Sequence, residues 1–239
     1  MHCHIEFEAI PIQVGQPRFI FPNTTEGVKM TLELEKLIWA GVIERSSHEE
    51  GEYISPVFSK PKKNGSVRII LNLKQLNENV EYHHYKMDNR QMAGRLMTRN
   101  CYMASIDIKQ AYYMVPIARE HRKFLKFWWR GTLFQFTVLP NGLACAPRLF
   151  TKLLKPVYST LRNEGVHVVG YIDDSFIAAK LRSILEAGTI KVANLLQKLG
   201  FLINRDKSIM TPNIQLQFSK VRLKMDKNNP ACRKSQKTS

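Results

Sequence analysis

Two aspartates stand side by side in Tyr171-Ile172-Asp173-Asp174, between the apolar runs Val168-Val169-Gly170 and Phe176-Ile177-Ala178-Ala179. The pattern reads as a strand, an acidic tip and a second strand: a β-hairpin with its charges at the turn. Adjacent negative charges repel, so folding alone gives no reason to place them together; the ordinary alternative is a solvated turn, where aspartate is at home. A divalent cation shared with a third carboxylate would remove the repulsion and create a site for phosphoryl transfer. Asp107, in Ser105-Ile106-Asp107-Ile108, is the candidate third acid, although an aspartate ending an apolar strand is also a common cap. If its strand lies beside the acidic hairpin, three carboxylates cluster. Such oxygen donors suit two Mg2+ or Mn2+ ions roughly 3.5–4 Å apart, and not zinc.

Phosphate chemistry also needs fixed positive charge. Lys62 and Lys63 stand at the tip of a second expected hairpin, Ser55 to Leu73, whose Asn64-Gly65 pair is a strong turn signal. Arg68 lies on its return arm and alternates with Val67 and Ile69, so it faces away from them. A guanidinium there can hold two phosphate oxygens at once, whereas lysines at a hairpin tip also serve simply to keep a protein soluble. Leu139-Pro140-Asn141-Gly142 to Pro147 reads as a strand, a Pro/Gly turn and a helix start, where backbone can approach a flat ligand closely.

These groups need a frame. Residues 1–30 show little periodicity and are expected to form an extended lead-in. Leu34, Leu37 and Ile38 recur at helical spacing, with Thr31 as candidate N-cap and Gly41 as candidate C-cap. Tyr102 to Ile108 reads as a strand running into Asp107, and Lys126–Trp129 with Leu133–Val138 as a hairpin around Arg130-Gly131. Leu149, Phe150, Leu153, Leu154, Val157 and Leu161 fit a helix that Pro156 should kink or shorten. Ile184 to Leu199 fits another helix, closed by Gly200, with a strand expected to begin at Phe201–Ile203. From Ser219 the chain becomes basic and poor in apolar residues, and 219–239 is expected to be a disordered tail.

Composition narrows the class. The 239 residues are 44% hydrophobic, enough for a globular core, and carry a formal net charge of +16. That charge favours polyanions, nucleic acid first and an anionic membrane surface second. No run of about 18 apolar residues is present, so no membrane span is expected. The N-terminus lacks the pattern of a secretory signal, and the four cysteines are scattered, which suggests free thiols and an intracellular setting, cytoplasm or nucleus. His2, Cys3 and His4 could ligate a metal or simply form a frayed end.

The order of these motifs resembles that of reverse transcriptases, most closely those of DIRS-type (tyrosine-recombinase) retrotransposons. The resemblance runs from about Leu34 to Ser208. It rests on Ile54-Ser55-Pro56-Val57-Phe58, Pro61-Lys62-Lys63-Asn64-Gly65 with Arg68, and Leu71-Asn72-Leu73-Lys74-Gln75-Leu76-Asn77. It continues through Asp107-Ile108-Lys109-Gln110-Ala111-Tyr112, the Leu-Pro-Asn-Gly turn, Ala146-Pro147-Arg148-Leu149-Phe150-Thr151-Lys152 and Tyr171-Ile172-Asp173-Asp174.

The resemblance implies an α+β right-hand polymerase fold, with a small antiparallel palm sheet backed by helices and fingers of hairpins and helices. Fingers would span about 31–85 and 115–145, and palm about 86–114 and 146–218. It implies RNA-directed DNA polymerase activity with RNA template, DNA primer and dNTP as partners. Asp107, Asp173 and Asp174 would be the catalytic metal-binding triad, holding two Mg2+ ions. Lys62, Arg68, Tyr112, Asn141 and Lys207 would meet the dNTP, with Tyr112 as the steric gate against a ribose 2′-OH and Lys207 as proton donor to pyrophosphate. Tyr171, Gly142 and Pro147 would meet template and primer.

The pattern departs from the family at Ile214-Gln215-Leu216-Gln217-Phe218-Ser219-Lys220, where relatives carry a Leu-Gly pair in the primer grip. No thumb is expected in this chain. Two other readings therefore stay open: an inactive truncated remnant that binds nucleic acid by charge alone, and an RNA-dependent RNA polymerase, which Tyr112 disfavours.

Overall fold

The structure is a computed structural model and describes residues 2–15, 24–62, 65–88, 90–97, 101–218 and 221–224. Lys63, Asn64 and 225–239 therefore lie outside the described residues. In chain order the elements are α1 (Thr24–Trp39), β1 (Ile43–Arg45), β2 (Val57–Pro61), β3 (Val67–Leu71), α2 (Lys74–Asn77), α3 (Arg90–Leu96), β4 (Tyr102–Asp107), α4 (Arg119–Arg122), β5 (Lys126–Trp129), β6 (Thr132–Phe136), α5 (Ala146–Asn163), β7 (Val168–Tyr171), β8 (Asp174–Ala179), α6 (Arg182–Lys198), β9 (Ile209–Asn213), β10 (Gln215–Phe218) and β11 (Val221–Lys224). The mixed composition and antiparallel sheets give the expected α+β class. The chain divides into two compact units, one of Met1–His84 with Tyr112–Pro147 and one of Tyr85–Ala111 with Arg148–Ser239.

In the first unit, Met30, Leu34 and Leu37 recur on one face of α1 and are buried. The helix packs on β3, whose Val67, Ile69 and Leu71 are buried while Arg68 is exposed. That alternation is the one the sequence implies. Thr31 is not the N-cap: α1 begins a full two turns earlier, at Thr24, and the Thr31 hydroxyl donates to the Gly27 carbonyl inside the helix (2.9 Å). At the other end Gly41 N–H bonds to Ile38 O and Val42 N–H to Leu37 O, both 2.9 Å, the paired bonds of a glycine C-cap. Part of the expected 1–30 lead-in is helical, because α1 begins at Thr24. Cys3 bridges to Ile117 and Phe7 to Val80 before α1 starts. β2 and β3 form the expected hairpin, and β1, β6 and β5 a three-stranded sheet whose Phe127 stacks on Phe134 and packs beside Phe136.

In the second unit, four antiparallel strands lie in the order β7-β8-β4-β9. Residues alternate between two faces. On one, Met103, Val169, Phe176 and Ala178 form a core with Ala93, Met97 and Cys101. On the other, Ile177 lies near Gly188 of α6, which buries Leu185, Val192 and Leu196, and Gly170 lies against Tyr158 of α5. The α5 helix runs unbroken through Pro156 over its 18 residues, neither shortened nor divided. An exposed proline costs one backbone hydrogen bond, and the buried Phe150, Leu154, Val157, Tyr158 and Leu161 hold the helix through it. The strand expected at Phe201–Ile203 is only a single bridge, Ile203 to Ile108, and the fourth strand begins later, at Ile209. Within the segment expected to be a tail, Val221–Lys224 pairs with Gln215–Phe218 as a hairpin.

Candidate active site

β7 ends at Tyr171 and β8 begins at Asp174, and these two residues are register partners, so only Ile172 and Asp173 make the turn. A two-residue hairpin loop requires positive φ, and Ile172 sits at φ 53. For a β-branched residue this is a strained conformation, of the kind that costs about 1–3 kcal/mol and concentrates at functional sites. The turn thus presents Asp173 at the tip and Asp174 at the head of a buried strand.

β4 lies directly beside β8, and its last residue, Asp107, is the register partner of Asp174. Residues directly opposite in antiparallel strands have Cα atoms about 4.5–5.5 Å apart. The next residue extends the pairing: Ile108 N–H donates to the Asp173 carbonyl at 2.7 Å. All three aspartates therefore meet at one strand end, each half-buried.

The electrostatics follow from that crowding. Burial pushes the Asp107 carboxyl above the usual aspartate range, and the charge on Asp173 pushes the same way. The Lys207 ammonium and a hydrogen bond from the Asn204 side chain pull it down without cancelling the rise. Among the described residues, the groups of three donors drawn within 4.8 Å of one another are His4–Glu120–His121 and Glu6–Glu81–His83, both in the first unit. The aspartates share a strand end without such closure, as carboxylates that repel one another should. Hard carboxylate oxygens gathered at one strand end fit Mg2+ or Mn2+.

The segment after α6 straps this end of β4. Asp107 N–H donates to Ser208 Oγ (3.0 Å), and the Asp107 carbonyl accepts from Asn204 N–H (2.8 Å). Ser208 Oγ in turn donates to the Asn204 carbonyl (2.7 Å). Lys207 stands exposed within this turn, its N–H bonded to Asn204 O. Sequence reading singled out Lys207 and passed over Asn204 and Ser208; their only signal was a polar cluster after Gly200-Phe201.

Tyr171 is half-buried against the Phe176 core, opposite Asp174. The remaining candidates lie in the first unit. Lys62 is not a free phosphate ligand here: its Nζ is 2.7 Å from Glu33 Oε1 of α1. Arg68 projects from β3 opposite Lys60. Asn141 donates its side-chain N–H to the Tyr113 hydroxyl (3.0 Å). Burial raises that hydroxyl's pKa, the Asn141 bond and the Arg68 charge oppose the rise, and Glu33 adds to it. Arg68, Asn141, Glu33 and Tyr113 therefore share one neighbourhood. Tyr112 is half-buried in a single 3-10 turn, Ala111–Met114, and Pro147 lies in the first turn of α5.

The Leu-Pro-Asn-Gly turn is held by the end of the Leu71–Asn77 motif. Asn77 Nδ2 donates to the Gly142 carbonyl (2.8 Å), and Asn77 Oδ1 accepts the Ala144 N–H (2.9 Å). Gly142 has φ +105, and a Cβ there would sit 3.0 Å from the Leu71 carbonyl. Only glycine meets both conditions.

Comparison with known proteins gives the family. The reverse transcriptase (RNA-dependent DNA polymerase) family matches residues 60–223. The chain belongs to the reverse transcriptase family. It is 27% identical over 197 residues to the Gag-Pol polyprotein of Rous sarcoma virus subgroup B, covering 79% of this chain and 12% of that polyprotein. It is 25% identical over 178 residues to the Transposon Tf2-3 polyprotein of Schizosaccharomyces pombe, covering 74% and 13%. The reverse transcriptase chain thus spans about an eighth of the length of these relatives. Among solved structures it resembles the foamy viral protease-reverse transcriptase in complex with dsDNA, with TM-score 0.80, 19% identity and coverage of 94% of this chain and 45% of that one. The same enzyme in complex with RNA/DNA hybrid gives TM-score 0.77, 20% identity and coverage of 92% and 29%. The fold is the right-hand polymerase fold.

Proposed function

We propose that this chain catalyses RNA-directed DNA synthesis, transferring dNMP to a primer 3′-OH, as the fingers and palm of a retroelement polymerase. The observation that supports it most is the register of Asp107 with Asp174, with Asp173 beside Asp174 in the β7–β8 turn that Ile172 strains. Fingers would correspond to about 31–85 and 115–145, and palm to about 86–114 and 146–218.

Asp107, Asp173 and Asp174 would hold two Mg2+ ions, which when bound acidify the primer hydroxyl and stabilise charge on the transferred phosphorus and the leaving pyrophosphate. Arg68 binds triphosphate oxygens in pairs, and Lys62 adds charge by exchanging Glu33 for phosphate. The Tyr112 ring excludes a 2′-OH. Asn141, tied to Tyr113, borders the nucleotide, and Lys207 gives a proton to the departing pyrophosphate. Tyr171, Gly142 and Pro147 contact template and primer. Positioning and fixed charge supply most of the rate.

The partners are an RNA template, a DNA primer and dNTP. The net charge of +16 supports a polyanionic partner, and the two solved relatives described above are complexes with dsDNA and RNA/DNA hybrid. The motif set supports a DIRS-type element, so the flanking genomic sequence should encode a tyrosine recombinase. The proposed setting is intracellular, on the scattered cysteines.

Primer extension on poly(rA)/oligo(dT) with dTTP tests the reading. Mg2+-dependent extension, lost in Asp173→Asn, is expected. Salt-sensitive binding of the duplex by folded wild type without any extension would leave a nucleic-acid-binding remnant instead.

A further inference from the structure

The acidic hairpin is gripped from behind by side chains that no motif contains. On the face of the sheet opposite Asp107 and Asp174, the Tyr158 hydroxyl of α5 bonds to Ser175 Oγ at 2.8 Å, and both residues are buried. Ser175 follows Asp174 directly and is the register partner of Gly170. Gly170 admits the tyrosine ring: a Cβ there would lie 2.0 Å from Tyr158 Cε2.

The outer edge of β7 is held as well. Arg162, one turn further along α5, donates through Nε to the Val168 carbonyl (2.8 Å) and pairs with Asp88. Asp88 Oδ2 accepts the Gly170 N–H (3.3 Å). An edge strand normally leaves such backbone groups to solvent. Here they are tied to the helix that carries Tyr158.

We propose that Tyr158 is a positioning residue for the metal site: its bond to Ser175 fixes the β7–β8 hairpin at the height where Asp173 and Asp174 meet Asp107. This rests on the functional reading above. Residues behind metal ligands act in this way when they set ligand orientation without touching the ion. A strained turn such as the one at Ile172 would otherwise relax and carry Asp173 with it.

Tyr158→Phe keeps the ring against Gly170 and removes only the hydroxyl. Two measurements on the full chain test it: Mn2+ affinity, from the electron spin resonance of free ion, and steady-state primer extension. We expect Mn2+ affinity and kcat each to fall roughly 10-fold in Tyr158→Phe, with KM for dNTP unchanged. Ser175→Ala should do the same, and the double variant should lose no more than the worse single one. Wild-type Mn2+ affinity in Tyr158→Phe, or losses that multiply in the double variant, would overturn the proposal. The two readings fail separately. A wild type that binds Mn2+ through Asp173 but extends no primer contradicts the polymerase, while the variants' Mn2+ affinities still decide the role of Tyr158. A wild type that binds no Mn2+ overturns the role of Tyr158.

Discussion

Asp107 and Asp174 face each other across the β4–β8 ladder, and burial and a third carboxylate hold the Asp107 carboxyl above its ordinary pKa. Without metal this arrangement opposes folding. A carboxyl whose pKa is raised by folding binds its proton more readily in the native state, so native stability falls as pH climbs from the ordinary aspartate value through the raised one. Asp107→Asn removes the charge. In chelator at neutral pH the variant should melt at a higher temperature than wild type, and the gap should close below the ordinary aspartate range. Thermal unfolding at several pH values checks this; a lower melting temperature for the variant at neutral pH would contradict it.

Protons and metal compete for the same carboxylates. Because the Asp107 pKa lies above the usual range, Mn2+ affinity should begin to fall on acidification before an unperturbed aspartate would protonate. A Mn2+ titration across pH measures the midpoint, which should drop in Asp173→Asn as one source of the elevation is removed.

The Asn77 clamp on the Pro-Asn-Gly turn gives a stability prediction in the first unit. Asn77→Ala removes two hydrogen bonds and should cost about 1–3 kcal/mol. Gly142→Ala forces a Cβ toward the Leu71 carbonyl at positive φ and should cost about 1–3 kcal/mol as well. Both act on one turn, so the double variant should lose less than the sum in denaturant unfolding.

Tyr112→Ala tests the steric gate. The preference for dTTP over UTP, as a ratio of kcat/KM, should fall on the order of 10- to 100-fold, with dTTP incorporation retained. An unchanged ratio would move the gate to another residue.

Much of this site was legible because it is local. The apolar runs on either side of Asp173-Asp174 read as two strands joined at an acidic tip, and Val67, Arg68 and Ile69 alternate as a half-buried strand must. What stayed hidden depends on partners far along the chain. Lys126 was readable as the first residue of a strand, but not as a fully buried lysine bonded to the Ser47 carbonyl (2.7 Å) and paired with Glu49 and Glu52 (both 2.8 Å). Thr31 was misplaced because a hydroxyl suits a cap and also bonds back inside a helix, and only the onset of α1 at Thr24 decides between them. Tyr158 is not among the apolar positions read for α5. Its role appears only with Gly170 and Ser175 beside it.

In the proposed mechanism Asp107, Asp173 and Asp174 close around a pair of divalent ions. Crystals grown with primer–template, dNTP and Mn2+ measure this directly through anomalous diffraction. Two Mn peaks about 3.5–4 Å apart, each ligated by these carboxylates, are expected. Anomalous density elsewhere in the chain, with Asp107 bound only by Asn204 and Lys207, would rule out this two-metal site.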